Sequence, residues 1–409
     1  MLDPKLCVVC KGKLLCGLSY CPILAKYNYQ INKMKLYKAE KEMQADAPPG
    51  IFVSWKNYPN ISIAPLSTNI EDEEKLRILD MPERWFGFGE REIIEMRASL
   101  IQPMKKIAAD ASRPSYELIE MQELAMSYKP VDVELRFKKE PKAKLQFNPF
   151  VAPFGATAEL EKIKLSENPK IPRKVENIYY DELKARDALI ELFNKGFPVS
   201  YLTRLLSSGV FGRKRKRKIV PTRWSITATD SNLSNAIIEE VKEFEWLNQI
   251  LVFNESYLDN RFVVLLIPNA FGFEQLECWL PGAVWQQSNK YEIIVDYEFH
   301  KGRKDYASNV EGAYYAARLA CAEYLKRIRR QAACIVFREI GQNYHLPLGV
   351  WVIRETVRNA LKKKPESFNN IREALSYAKK FLEVPVEEYL RKSVLLSSLL
   401  KQKKLSEFF

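Results

Sequence analysis

Residues 311–330 read Glu-Gly-Ala-Tyr-Tyr-Ala-Ala-Arg-Leu-Ala-Cys-Ala-Glu-Tyr-Leu-Lys-Arg-Ile-Arg-Arg. Tyr314, Ala317, Cys321, Tyr324 and Ile328 recur at steps of three and four, which stacks them along one helical face. That face is apolar, so it predicts a core helix with Cys321 as a small buried hydrophobe. Arg327, Arg329 and Arg330 stand at its C-terminal end, where the helix dipole favours cations. Short apolar runs flank it, residues 293–297 before and 333–338 after, and both read as strands. A helix set among strands predicts the α+β class.

Outward from this centre, residues 250–253 and 261–267 read as a strand pair, and 349–353 as a strand opening into a helix to Lys362. Arg338-Glu339 and Arg354-Glu355 fall at the ends of two such strands. Intramolecular ion pairing is the plain reading of both, with catalysis as the alternative. Helices follow at 371–382 and 386–400, the second started by Pro385. Upstream, Ala185, Ala188, Leu189, Leu192 and Phe193 stripe a helix over 181–194 that Gly196 and Pro198 stop. Residues 131–137 alternate like a half-buried strand, and 51–55 and 61–64 are short strands around a turn at 57–60. An acidic helix is expected at 71–80, an aromatic–glycine loop at 85–89 and a helix at 90–100. The proline-punctuated segment 149–171 reads as a crossing between subdomains. The expected organisation is a zinc-binding module with a first helix through 23–43 (1–45), an N-terminal α+β subdomain (46–171), a main α+β domain (172–365), C-terminal helices (366–400) and a flexible tail (401–409).

The chain has 409 residues, 47% of them hydrophobic, enough to bury a large core. Its 64 basic and 51 acidic residues leave a net charge of +13, which favours a polyanionic partner. Only His300 and His345 are available for histidine chemistry. No apolar run approaches the ~18–20 residues of a membrane span, and the N-terminus has no export signal, so a cytoplasmic, nucleoid-associated protein is expected. There is no G-x4-G-K-[ST] loop, no G-x-G-x-x-G fingerprint and no G-x-S-x-G elbow.

Cys7, Cys10, Cys16 and Cys21 form a C-x2-C-x5-C-x4-C series with Gly12 and Gly17 at the turns. Four close thiolates suit a closed structural zinc site; an iron–sulfur cluster is the competitor, and disulfides are the reading for an oxidising compartment. Arg213-Lys214-Arg215-Lys216-Arg217-Lys218 is the most basic run, and six consecutive cations are expected in solvent or against phosphate. Arg223 and Trp224 follow, beside Thr222, Ser225 and Thr227. Cations, hydroxyls and an indole together suit phosphate contact and base stacking, against the alternatives of a solubilising loop and a core tryptophan. Asp230 is expected to cap a helix through Lys242.

The chain closes on Gln402-Lys403-Lys404-Leu405-Ser406-Glu407-Phe408-Phe409. One helical turn brings Leu405, Phe408 and Phe409 onto one face, and burying them yields about 1.5–3 kcal/mol each before ordering costs. Folding back onto the chain's own core is the other use for such a knot. The pattern resembles the box by which replication and repair proteins dock on the sliding clamp, PCNA. By that resemblance Gln402 hydrogen-bonds beside a pocket that takes Leu405, Phe408 and Phe409.

Together with the cysteine quartet, Lys218-Ile219-Val220-Pro221-Thr222-Arg223-Trp224-Ser225-Ile226-Thr227 and Gly349-Val350-Trp351-Val352-Ile353-Arg354-Glu355 resemble the archaeal Nre family over nearly the whole chain. The resemblance implies DNA repair, clamp binding by Gln402, Leu405, Phe408 and Phe409, and metal ligation by Cys7, Cys10, Cys16 and Cys21. It implies no catalytic residue. The expected function is a clamp-tethered repair factor that contacts DNA through basic loops. An enzyme using NAD or a nucleotide, in the manner of ADP-ribosyltransferases, would draw on Arg223, Arg354 and Glu355. A non-catalytic adaptor for another repair protein needs none of them.

Overall fold

Val131, Val133, Leu135 and Phe137 are buried and Asp132, Glu134 and Arg136 exposed, the two-residue alternation of a strand with one wet face (β5, Val131–Phe137). The computed structural model describes residues 7, 10, 14–17, 21, 40–141, 146–148, 151–286, 288–345 and 348–401. The chain divides into two compact units, Lys26–Leu233 and Met1–Ala25 with Ser234–Phe409.

In the unit Lys26–Leu233, β1 (Glu42–Ala47), β2 (Ile51–Val53), β3 (Asn60–Pro65), β4 (Gln102–Ala108), β5 and β8 (Thr157–Leu165) form one sheet in the order β1-β5-β8-β4-β3-β2. Only β4 and β8 pair in parallel. A separate two-stranded ribbon holds β6 (Gln146–Asn148) and β7 (Val151–Phe154). Helix Tyr116–Met126 lays Leu118, Met121 and Leu124 into the same core as Ile63, Val133 and Ile163. Residues 149–171, expected as a crossing, thus contribute β7 and a central strand. A bulge hides β8: the register with β5 slips between Arg136 and Phe137, so its inward residues, Leu160 and Ile163, lie three apart. The expected helix over 23–43 is also revised where it is described, because Glu42 and Met43 open β1; residues 22–39 lie outside the described residues.

The helix expected over 181–194 is realised as Ala185–Asn194, preceded by helix Arg173–Tyr180, and Pro198 launches a further helix, Val199–Ser207. The expected boundary near Pro172 therefore falls inside this unit. The division at Leu233 and Ser234 lies within the 20-residue helix Thr222–Val241. That helix starts eight residues before Asp230, which is buried in its interior rather than capping it. Its opening turns are rich in residues that favour caps and loops. They are held helical by tertiary contact: Ser225 donates to the Val220 carbonyl, and Ile226 packs against Leu66, Leu76, Leu79 and Leu100.

In the other unit, β9 (Ile250–Tyr257), β10 (Asn260–Ile267), β11 (Gly272–Trp279), β12 (Glu292–Glu298), β13 (Ala333–Ile340) and β14 (Glu366–Phe368) form a second sheet in the order β12-β11-β13-β10-β9-β14. Here β11 and β13 are the parallel pair, and helix Gly312–Ile328 carries the chain from β12 to β13 with Cys321 fully buried, as its spacing predicts. The β9–β10 turn is only Leu258-Asp259, both at positive φ, so the two strands outrun their expected ends. Residues 349–353 are not a strand. They begin helix Trp351–Ala360, in which Ile353, Val357 and Ala360 share a buried face despite their β-branched neighbours.

Helices Ile371–Ala378, Val386–Lys392 and Leu395–Lys401 cover the apolar face of this sheet. The single helix expected at 386–400 is broken at Ser393. There the buried Glu274 carboxylate accepts from the Ser393 hydroxyl and the amides of Val394, Leu395 and Leu396 at 2.6–3.1 Å. Arg338 and Glu339 do not pair with each other, because adjacent strand residues face opposite sides of a sheet. Arg338 binds Glu277 at 2.6 Å and Asn260 at 2.6 and 3.0 Å. Glu339 accepts from the amides of Glu383 and Val384 and the Tyr389 hydroxyl.

The α+β body is thus present. No group of three or more His, Cys, Asp or Glu placed to hold a metal occurs among the described residues, which include Cys7, Cys10, Cys16 and Cys21. The tail residues Gln402, Leu405, Phe408 and Phe409 lie outside the described residues. Among those residues no helix is long and apolar enough to cross a membrane.

Candidate nucleic-acid interface

The basic run leaves the helical layer of the Lys26–Leu233 unit as a strap across the end of β4. Lys214–Lys216 is a single 3-10 turn. Beyond it the backbone is tied down: Ala111 donates to the Arg217 carbonyl at 3.0 Å and Ile219 donates to the Ala109 carbonyl at 2.8 Å. Arg213, Lys214, Arg215, Lys216 and Lys218 stand exposed, as expected for cations. Arg217 does not. It is 5% exposed, donates to the carbonyls of Gly212 and Tyr179, and lies over the Tyr179 ring at 4.7 Å. Burial pulls its pKa down, an effect that the Tyr179 hydroxyl opposes. A guanidinium with two carbonyls and a ring is a fastener, so Arg217 leaves the set of expected phosphate contacts.

Close to this strap along the chain of hydrogen bonds is the β2–β3 hairpin. Ala109, which holds Ile219, also donates to the Pro59 carbonyl at 2.8 Å. The hairpin's loop is Ser54-Trp55-Lys56-Asn57-Tyr58-Pro59, closed by an Asn60 amide on the Asn57 carbonyl with Asn57 at φ 63°. The Val53 amide donates to Thr222 Oγ1 at 2.8 Å, which pins the start of helix Thr222–Val241 to the hairpin. Thr222 is therefore structural, and so is the fully buried Ser225.

This junction gathers four side chains. The Arg223 guanidinium lies 5.1 Å from the centre of the Trp55 ring, and the Tyr58 and Trp224 rings are 5.1 Å apart at 59°. Trp55, Tyr58 and Trp224 are 42%, 41% and 42% exposed. Trp224 is thus a surface residue, not a core aromatic. Trp55 and Tyr58 were not legible as partners of Trp224. In the sequence Trp55 closed an expected strand and only Tyr58 fell in the expected turn; β2 ends at Val53, which leaves both in the loop.

The other candidates sit elsewhere. Arg354 and Glu355 are each 4% exposed on helix Trp351–Ala360, in the other unit from Arg223. Arg354 lies 3.6 Å from Glu355, which Arg358 binds at 2.8 Å, and Arg358 also grips Glu323 through two bonds. Such a network is what ion pairing inside a core requires. At the N-terminus, Cys10 is buried and its sulfur accepts from the Leu15 amide at 3.3 Å, while a turn closes between Leu14 and Gly17.

Comparison with known proteins adds a family to this geometry. Two family models match: archaeal Nre, N-terminal, over residues 15–286, and archaeal Nre, C-terminal, over residues 298–408. The chain belongs to the archaeal Nre family. It is 41% identical to a protein of Archaeoglobus fulgidus named DNA repair protein NreA, over 92% of this chain and 94% of the relative. DNA repair protein NreB of the same organism is 37% identical over 95% and 96%, and Haloferax volcanii NreA 30% over 88% and 89%. No solved structure matches it. The junction between the two Nre matches differs from the division between the units, since β11 precedes it and its parallel partner β13 follows it.

Proposed function

We propose that this Nre chain is a DNA-repair factor that reaches DNA through the basic strap of its Lys26–Leu233 unit and is held at the sliding clamp by its last eight residues. The observation that carries the DNA contact is the strap: five exposed cations on a backbone anchored to residues 109–111. Anchoring lowers the ordering cost of meeting phosphates, and each cation engaged releases counterions, so binding should weaken steeply with salt. The relatives' names as DNA repair proteins support the same reading.

Gln402, Leu405, Phe408 and Phe409 supply the clamp contact. A tether with a short linker keeps the body at roughly millimolar local concentration, so weak intrinsic DNA affinity suffices. Zinc held by Cys7, Cys10, Cys16 and Cys21 is the structural cofactor, ahead of an iron–sulfur cluster. Four thiols are the donor type that role needs, although the described residues do not gather them into a site, and the Leu15 amide on the Cys10 sulfur is the kind of bond that stabilises a ligating thiolate. Zinc at a closed site supplies architecture and no reaction step.

Deleting residues 402–409 tests the tether. Capture of the protein on immobilised sliding clamp should be lost while its thermal unfolding and DNA binding stay unchanged. Capture that survives the deletion would refute it.

A further inference from the structure

We infer that Trp55, Tyr58 and Trp224 form a stacking platform for unpaired bases, so that the chain binds single-stranded DNA in preference to duplex. This rests on the DNA contact proposed above and specifies the form of DNA that it takes.

The Lys26–Leu233 unit holds three tryptophans. Trp85 is fully buried, with its indole N–H donating to the Ile78 carbonyl, whereas Trp55 and Trp224 keep 42% of their surface in water. An indole left that far exposed forgoes part of the burial that makes tryptophan favourable in a core. Exposed aromatics grouped on one surface mark a contact site more often than scattered ones. These are grouped, and they are held: the Val53–Thr222 bond fixes hairpin to helix, Tyr58 meets Trp224 at 59° and Arg223 lies over Trp55, so the half-exposed rings meet a ligand at little further ordering cost.

Charge decides what the platform takes. Residues 54–60 and 213–229 together carry seven cations besides the buried Arg217, and no carboxylate. Asp110 pairs with Lys218 through the backbone and its carboxylate is tied to the Ser112 amide at 2.8 Å, while Asp230, next along the helix, is buried. The core of a protein–protein interface is depleted of charge, whereas rings beside a run of cations fit a strand whose phosphates and base faces are both presented. A duplex offers phosphates to the strap but keeps its base faces stacked inside, leaving the rings unused.

Fluorescence anisotropy with full-length protein tests this, using a labelled 15-nucleotide oligothymidylate, a duplex of equal length and an oligouridylate. The single DNA strand should bind at least about tenfold tighter than duplex, and Trp224→Ala or Trp55→Ala should cut that affinity about five- to 150-fold. Duplex affinity should stay within about twofold, and Trp55→Phe should retain most single-strand binding because a ring remains. Circular dichroism melting identifies any variant that fails to fold. Single strand bound no better than duplex, both affinities falling together, or tighter binding of the RNA would each overturn the platform while leaving the DNA contact standing. Absence of binding to every probe at low salt would overturn the DNA contact itself.

Discussion

The two units are built on six-stranded mixed sheets with one parallel pair each, yet the two sheets use charge in opposite ways. In the Lys26–Leu233 sheet, no charged side chain is buried among the described residues of its six strands. Charges on its outer face make solvent-exposed pairs such as Arg136 with Glu42 and Glu161. In the other sheet, β11 and β13 are buried along their whole length, and Glu274, Glu277, Glu298, Arg338 and Glu339 lie inside. Each is met by a built partner: Glu277 by Arg338, Glu298 by Arg318 through two bonds, Glu274 and Glu339 by backbone amides. One sheet leaves its charges for water and partners. The other turns them inward to fasten strand to strand and strand to helix, and Arg338 and Glu339 are such fasteners; Arg354 and Glu355 are buried likewise in helix Trp351–Ala360.

The sharpest way to break this contrast is to remove one arginine from each sheet. Arg338→Ala takes the guanidinium from a buried carboxylate and should cost about 3–5 kcal/mol in urea unfolding. Arg136→Ala should cost less than about 1 kcal/mol, since its partners are hydrated in both states. Equal losses would show that the two sheets do not differ in this respect.

A smaller effect should separate two neighbours within the basic strap. Arg217→Ala should destabilise its unit by about 1–3 kcal/mol by stripping donors from the Gly212 and Tyr179 carbonyls. Lys216→Ala should leave stability unchanged but reduce the salt slope of DNA binding by about one. Unfolding curves and salt titrations read the two outcomes separately.

The smallest expected effect is a pH response. Asp46 faces Asp132 directly across β1 and β5, and partial burial followed by that second carboxylate raises its pKa to about 6. Its folded-state pKa therefore lies above the unfolded one, so the native state holds the extra proton and stability falls as pH rises between about 4 and 6. Asp46→Asn should flatten that fall and leave the protein more stable at pH 7. A steeper decline in the variant would show that the pair is not the cause.

Legibility in the sequence followed periodicity. β5 and helices Ala185–Asn194 and Gly312–Ile328 each repeat a pattern of their own, so one strand of text sufficed. β8 was obscured by a bulge that turns a two-residue repeat into three. β11 shows no alternation because both of its faces are covered, and its glutamates disguise it as surface. Only the first turn of helix Trp351–Ala360 was read as a strand, because Val352 and Ile353 favour strands locally and packing overrode them.

By itself the sequence determined the α+β class, the central helix, the excess of positive charge, the cysteine series and the Gln-x-x-Leu-x-x-Phe-Phe pattern of residues 402–409, since each is a property of residue order or composition. Which cations reach solvent, which glutamates are fasteners, and that Trp55 and Tyr58 stand with Arg223 and Trp224, only the tertiary structure decided. Those residues lie about 170 positions apart in the chain, and what joins them are long-range contacts, the Val53–Thr222 bond among them, that no local pattern announces.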